Sequence, residues 1–410
     1  EQSKKQSKLR LQKTSFGKPR QVLWRIYSKR SLLTAGATER PIAFGNNDRP
    51  GIMLAGAVRS YVNRFGVTPG KQVTIFTNND DGWRTATDLV AKGVKVTAVI
   101  DARNKSASTP ITGAEIILGD QIIDTAGHKG LHSITLKSGK VIQTDCLAVS
   151  GGWNPNVHLT CHQRGKPEWN SDILAFVPGG ILPTGMKIAG AANGKLGLST
   201  GMADAVAAAQ KIVQDLGHRP ASYDIPTSED EPQSGAAIWH VKDSKKRSWV
   251  DLQNDVTVKD IQLSYQEGFR SVEHLKRYTT LGMATDQGKT SNIAGLAIMA
   301  ECSGKTIPET GTTIFRPPYT PIPIGALAGR ARGKDFRPYR LTPSHKWAEE
   351  NGATFVETGN WLRAQWFARP GEKGWRDSVD REVAMTRAWA FVMSLHLAKL
   401  TFRGKMWLNS

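Results

Sequence analysis

The sequence predicts an α/β fold built on a mainly parallel sheet, and three observations carry that expectation. Gln72 to Phe76 reads as a buried strand, Trp83 to Lys92 as a helix and Lys95 to Ile100 as a second strand. Together they make a strand–helix–strand unit of about thirty residues, the building block of dinucleotide folds. Strand-like runs follow at Glu115–Leu118, Ser133–Leu136, Val141–Gln143 and Cys146–Ser150, so strands alternate with helices. An alanine-rich helix then spans Met202 to Leu216 and stops at Gly217, a residue suited to a helix end.

Composition narrows the function classes. The chain of 410 residues is long enough for several domains, and 39% hydrophobic residues with 40 glycines and 20 prolines describe an ordinary globular protein. No apolar run reaches the roughly eighteen residues of a membrane span and no secretory leader opens the chain, so a cytoplasmic location away from membranes is expected. Its three cysteines, Cys146, Cys161 and Cys302, are widely spaced and form no CxxC pair. That excludes a disulfide framework and gives no zinc, iron–sulfur or dithiol redox motif; free thiols and no metal are expected. A formal charge of +19 raises the question of nucleic acid, but residues 1–30 supply +9 of it and the last twenty residues +3. A nucleic-acid surface needs a basic stripe with aromatic platforms inside a folded domain, so no nucleic-acid partner is expected.

Residues 1–20 are basic and aperiodic, a disordered or non-native leader. A nucleotide-binding-like domain over 21–217, with a second dinucleotide fold inserted at about 70–150, follows. Residues 218–240, rich in Pro, Ser and acids, read as a linker. A small helical domain over 241–310 opens with Thr257 and Asp260 in capping-box spacing, continues through Ser271–Tyr278, and ends in Asn292–Glu301 with one apolar face. The proline-rich entry Arg316–Ile324 opens a further domain over 311–390, and 391–410 is an atypical tail.

Four segments carry chemistry. Leu32 to Ile42 runs a strand into a small-residue turn at Gly36, allowing a nucleotide to approach bare backbone, or simply making a tight turn. The turn Thr77–Gly82, where a dinucleotide fold usually shows GxGxxG, has one glycine and two aspartates that repel phosphate, so the inserted fold is expected to hold no cofactor. Lys187 to Thr200 enters a run of small residues just ahead of the long helix, a seat for a pyrophosphate on helix amides or a device for tight helix–sheet packing. Tyr278 to Asn292 sets Lys289, Thr290 and Ser291 ahead of another helix, a phosphate cradle or a helix cap. In Ser150–His158, Trp153 and His158 read as a packed tryptophan and a hydrogen-bonded histidine rather than ligand contacts.

Several of these strings resemble the alpha subunit of heterotetrameric sarcosine oxidase. Thr34 to Pro41 is similar to that family's Ala-Thr-Gly-Ala-x-Glu-Arg-Pro, with Thr34-Ala35 in reversed order, and Asn47 to Tyr61, Ser150 to His158, Lys187 to Thr200 and Tyr278 to Asn292 are similar at nearly every position. The resemblance covers roughly residues 20–390. It implies an incomplete two-dinucleotide-fold flavoprotein-like domain, a small helical domain and the start of an aminomethyltransferase-like α+β domain.

For function, the resemblance implies an oxidoreductase that oxidatively demethylates sarcosine to glycine with oxygen and tetrahydrofolate, giving hydrogen peroxide and 5,10-methylenetetrahydrofolate. The partners implied are beta, gamma and delta subunits, with FAD on the beta subunit. Ala191, Leu196 and Leu198 are the implied NAD contacts, beside Gly36, Gly190 and Ala192 of the small-residue turns as further cofactor-binding candidates, and Thr279, Gln287, Lys289 and Thr290 are the implied phosphate side of an FMN shared with beta. The tetrahydrofolate site lies mostly outside this chain; Glu357, Trp361, Arg363 and Trp366 are expected to pack in a core. No residue reads as a general base or nucleophile. The competing readings are a stand-alone flavin- or NAD-dependent reductase, which the missing first GxGxxG and CxxC oppose, and a non-catalytic scaffold or fragment. After Ala390 the sequence leaves the family pattern, as a shifted reading frame would make it do. Sequencing the coding DNA tests this: one intact frame running into the family pattern would refute the shift.

Overall fold

A computed structural model describes residues 21–105, 111–229, 234–331 and 335–385, and the backbone of 389–394 and 399–404. The expected leader over 1–20 lies outside the described residues. The chain forms two compact units, one over Ile26–Pro321 and the other from Ile322 onward together with the segment that ends at Arg25.

In the first unit the elements run β1 (Ser31–Leu33), β2 (Ala37–Glu39), β3 (Ile52–Leu54), α1 (Ala55–Phe65), β4 (Val73–Thr77), α2 (Asp80–Ala91), β5 (Val96–Asp101) and β6 (Glu115–Leu118). β7 (Ile122–Ala126), β8 (Ser133–Leu136), β9 (Val141–Gln143), β10 (Cys146–Ser150) and β11 (Trp153–Pro155) follow. Next come β12 (Glu168–Asn170), β13 (Ala175–Val177), β14 (Met186–Ile188) and α3 (Leu198–Asp215). β15 (Trp249–Asp251), β16 (Val256–Thr257), α4 (Val258–Gln266), α5 (Val272–Thr279), α6 (Asn292–Ser303) and α7 (Ile307–Thr310) complete the unit.

The main sheet has the order β3-β10-β4-β5-β6 and every pairing in it is parallel. Its side chains alternate between two cores because strand residues point to opposite faces in turn. Val73, Ile75, Val99, Cys146 and Ala148 pack under α1 and α2 through Val58, Trp83 and Leu89. Phe76, Ala98, Ile100, Leu147 and Val149 pack instead with Ile134, Leu136 and Ile142 of the antiparallel sheet β7-β8-β9. A parallel sheet buried on both faces reads as a continuous apolar run, which is why β4 and β10 stood out in the sequence.

α2 begins at Asp80, earlier than the expected Trp83, because the Asn79 side chain caps it by accepting from the Asp81 amide. The two aspartates that seemed to repel phosphate therefore lie in a first helical turn, where the dipole favours them. Gly82 is there for packing: a Cβ would stand 2.4 Å from Thr77 Cβ. The crevice at this strand end is filled by the returning chain, where Asp80 accepts from the Ser234 amide at 2.8 Å and Asn78 donates to Ala236 O at 2.7 Å.

The helical segment packs Ile261, Leu275, Leu296 and Met299 into one core with Trp239 and with Ala43, Ala175 and Phe176 of the preceding part of the unit. α4 starts on the capping box of Thr257 and Asp260, both halves of which are made.

The second unit contains α8 (Ile324–Ala328), β17 (Arg340–Leu341), α9 (His345–Glu350), β18 (Ala353–Thr358), β19 (Trp361–Phe367), α10 (Trp375–Met385), β20 (Trp389–Ser394) and β21 (Lys399–Gly404). β18 and β19 are antiparallel neighbours, β17 pairs in parallel with β19, and β20 and β21 pair with each other. The core packing expected for Glu357, Trp361, Arg363 and Trp366 is not met: Trp361 and Glu357 are exposed, and Arg363 and Trp366 half-buried. Trp361 sits 5.9 Å from the Arg340 guanidinium, and Glu357 pairs with Arg337 at 2.6 Å. Two short helices cannot cover both faces of this sheet, so its strand residues stay accessible.

Arg103 ties the end of β5 to the returning chain, bridging Asp101 at 2.7 Å and Asp80 at 2.8 Å and donating to Ser234 Oγ at 2.9 Å. Asp101 is fully buried and Asp80 nearly so. Removing one member of such a network leaves charges buried without compensation, so Arg103→Ala is expected to destabilise by about 3–5 kcal/mol. Urea unfolding of the variant against the native chain measures it; a loss under 1 kcal/mol would mean the network is dispensable.

Candidate functional site

The first candidate site is built on the paired parallel strands β1 and β14. Leu33 faces Ile188 in register and the Ala189 amide donates to Leu33 O at 3.0 Å. The turns at Thr34–Gly36 and Ala189–Asn193 therefore leave the sheet side by side at its carboxyl end, where open α/β sheets bind ligands. Gly36 and Gly190 both have φ 70°, and a Cβ on either would meet nothing within 4 Å. These glycines serve a left-handed backbone facing open space. Gly194 differs, since a Cβ there would stand 2.8 Å from Val177 Cγ1. The two readings of this segment, open approach and tight packing, thus hold at different glycines.

Residues 190–193 form one turn of 3-10 helix, and α3 starts at Leu198 after Gly197, which offers no side-chain cap. The Gly190 amide donates to Asp204 Oδ2 at 2.9 Å, an oxygen the Asn193 carboxamide also reaches at 3.1 Å. Asp204, two turns along α3, thereby pins the turn to the helix. Ala191 and Leu196 face a cavity of about 220 Å³ shared with Ala37, Asp81, Arg84 and Trp153. Ala192 is fully buried, and Leu198 is 64% exposed.

Beneath this surface lie two charged residues that the sequence offered only as parts of a string. Glu39 is buried, with Oε2 accepting from the Gly56 amide at 2.7 Å where α1 begins and Oε1 making no hydrogen bond. Burial pushes its carboxyl from the ordinary 4.5 up to about 8, against the pull of the Gly56 amide. Arg40 points to the other side of β2. It donates to Gly151 O at 2.7 Å and Asn154 Oδ1 at 2.7 Å, lies 4.8 Å from the Trp239 ring, and is pulled down to about 9 by burial. A Glu-Arg pair inside a turn of small residues was the signal for both, since charges in such a place need buried partners.

The second candidate site is the loop ahead of α6. Of its four residues, Lys289 faces a cavity, with His158, Asn292, Thr313 and Phe315 around it. Its Nζ donates to Tyr319 O at 3.1 Å, and its carbonyl accepts from Asn154 Nδ2 at 3.1 Å. Thr279 and Gln287 are occupied locally: Thr279 Oγ1 donates to Leu275 O at 2.8 Å, and Gln287 Nε2 donates to Ala284 O at 2.9 Å. Thr290 is half-buried beside Lys289. The competing account, capping by Ser291 or Asn292, is also not what forms. Ser291 Oγ is buried without a partner, and Asn292 donates to Gln287 O.

Behind Lys289, the Tyr319 hydroxyl and His162 Nε2 are 2.7 Å apart, and the His158 ring lies 4.2 Å from the Tyr319 ring. Burial, followed by the neighbouring Lys289 and His162, pulls His158 down to about 4. It is packed against Tyr319 and uncharged near neutrality. An adjoining cavity of about 1090 Å³ is lined by His162, Arg164, Lys166, Trp169, Phe176 and Phe315, among others. Cations at one side and aromatic faces at another suit an anionic, ring-bearing ligand.

The thiols are inert by comparison: burial pushes Cys146 up to about 12 and also raises Cys161 and Cys302, so none is an activated thiolate. Among the described residues no group of three or more His, Cys, Asp or Glu is arranged to hold a metal, and no helix is long and apolar enough to cross a membrane.

Comparison with known proteins agrees with this architecture. Residues 245–330 match the model of the sarcosine oxidase A3 domain. The chain is 44% identical over 374 residues to sarcosine oxidase subunit alpha of Rhizobium meliloti (strain 1021), covering 90% of this chain and 38% of that protein. It is 39% identical over 417 residues to sarcosine oxidase subunit alpha of Corynebacterium sp. (strain P-1), covering 95% and 42%. It thus spans about two fifths of the length of these curated relatives. L-proline dehydrogenase from P. horikoshii shares the fold, with a TM-score of 0.59 at 18% identity over 73% of this chain and 59% of that one.

The raised Glu39 carboxyl has a consequence for stability. A folded-state value above the unfolded one means the fold favours the protonated acid. Its contribution is full below pH 4.5, declines as pH rises towards about 8, and is level beyond. Glu39→Gln, uncharged and similar in shape, should therefore flatten the pH dependence of thermal unfolding between pH 5 and 8. A variant with the native slope would show that Glu39 is ionised in the fold.

Proposed function

From the starting point that this chain is homologous to sarcosine oxidase alpha subunits over nine-tenths of its length, we propose that it is the nucleotide-handling and flavin-adjacent portion of such a subunit. The assembly is an oxidoreductase that demethylates sarcosine to glycine with oxygen and tetrahydrofolate, releasing hydrogen peroxide and 5,10-methylenetetrahydrofolate. The observation that carries the reading is the juxtaposition of two open small-residue turns at the carboxyl ends of β1 and β14.

The residues fit NAD at that place. Gly36 and Gly190 leave space over bare backbone, Ala191 and Leu196 line the cavity beside it, and the uncapped start of α3 presents positive helix-end charge to phosphates. Asp204 holds the turn and does not face the ligand as a reactant. The residues fit FMN in part. Lys289 and the cations of the adjoining cavity, Arg164 and Lys166, are suited to its phosphate, whereas Thr279 and Gln287 act by holding the loop. A bound flavin would supply the electron-accepting chemistry; this chain's own residues bind, orient and exclude water. The expected inserted second fold keeps its role as support, its crevice filled by Ser234–Ala236.

In this reading the chain works with beta, gamma and delta subunits, the amine-oxidising FAD sits on beta, and the second unit contributes the beginning of a folate domain. Co-expression with a beta subunit tests it: the chain purified alone should be colourless, and flavin absorbance should appear only in the complex. A chain that carries stoichiometric flavin by itself would favour a stand-alone reductase instead.

A further inference from the structure

The cavity beside the first site does not end at the small-residue turn. Ala191 and Leu196 share it with Ala37, Asp81, Arg84 and Trp153, and Trp153 and Asp81 also line a second concavity of about 520 Å³. That concavity opens along α1 past Gly56, Arg59, Ser60, Asn63 and Arg64. A groove therefore runs from the turn, past one tryptophan, to a basic helix face.

Trp153 is held for a purpose that core packing does not explain. It is half-buried, its Nε1 donates to Asp81 Oδ2 at 3.1 Å, and its six-membered ring lies against Gly56, where a Cβ would come within 3.5 Å. Asp81 is in turn fixed by Arg59 at 3.3 Å and Arg84 at 3.2 Å. A carboxylate shared by two guanidinium groups and an indole N–H fixes the plane of that ring without adding net negative charge to the groove. A fixed aromatic plane with cations alongside is a seat for a heteroaromatic ring attached to phosphate.

We propose that Trp153, oriented by Asp81, stacks on one base of a dinucleotide whose phosphates lie at the 190–198 turn, making it a specificity-determining residue of this site. The proposal rests on the reading of that turn as the NAD seat. Of the two bases, adenine and nicotinamide, the one at Trp153 is set by the direction in which the dinucleotide lies.

The test titrates NAD into the full chain, following tryptophan emission and calorimetric affinity, with Trp153→Phe, Trp153→Ala and Ala191→Asp alongside. NAD should quench the native emission. W153F should keep affinity within about twofold but lose most of the quench, because the ring is retained and the indole is not. W153A should bind about tenfold more weakly. A191D should abolish binding by filling the turn with a carboxylate. If NAD binds, A191D abolishes it, and both Trp153 variants keep native affinity and quench, the stacking proposal falls while the seat stands. If native chain and W153F both fail to bind NAD, or A191D binds normally, the seat itself is wrong and the proposal falls with it. Adenosine monophosphate and nicotinamide mononucleotide, titrated separately to saturation, identify the base: quenching by one supports the stacking, quenching by neither overturns it.

Discussion

A guanidinium buried without a carboxylate organises the first unit. Arg40 is only 3% exposed, and its charge is balanced by the carbonyls of Gly151 and Trp153, the Asn154 side chain and the face of Trp239. Taking such a group out of water costs several kcal/mol unless its donors are met in good geometry, so these acceptors cannot drift. That fixes β11 against β2 and explains the glycine pair ahead of Trp153, since a Cβ on Gly152 would come within 2.5 Å of Arg40 Nη2. It also sets where Trp153 and Asn154 stand, and through them the two candidate sites.

Much of this was legible in the chain. The strands Glu115–Leu118, Ser133–Leu136, Val141–Gln143 and Cys146–Ser150 fall where the pattern put them, because buried parallel strands and short alternating ones leave distinct apolar signatures. The Thr257–Asp260 box was readable because capping is a local contest between a side chain and the backbone. Gly36 and Gly190 could be proposed from small-residue runs, and Ala191 and Leu196 from the family resemblance, but the meeting of the two turns depends on β1 pairing with β14 over 150 residues away, which no local signal encodes.

What the folded chain adds to the sequence reading has a common physical cause. Asp80 and Asp81 read as a deterrent to phosphate; folded, they also open a helix capped by Asn79 and hold Arg103, Arg59 and Arg84. Thr279 and Gln287, read as phosphate-side contacts, also donate to nearby carbonyls. In each case a polar side chain found a backbone or charged partner, local for Thr279 and Gln287 and brought largely by tertiary structure for Asp80 and Asp81. Trp361 errs the other way, an aromatic residue assigned to a core and found on an open sheet face, because hydrophobicity alone does not say which face is covered.

Asn154 also bears on how long the folded chain lasts. Its carboxamide takes the Arg40 proton donor with one end and gives its own N–H to Lys289 with the other, so only an amide satisfies both neighbours. An asparagine relied upon in this way is exposed to slow deamidation, which usually proceeds by attack of the following residue's backbone nitrogen on the side chain. Here that residue is Pro155, whose ring nitrogen carries no hydrogen to lose. The link between the two sites is thereby built to resist chemical ageing as well as thermal motion.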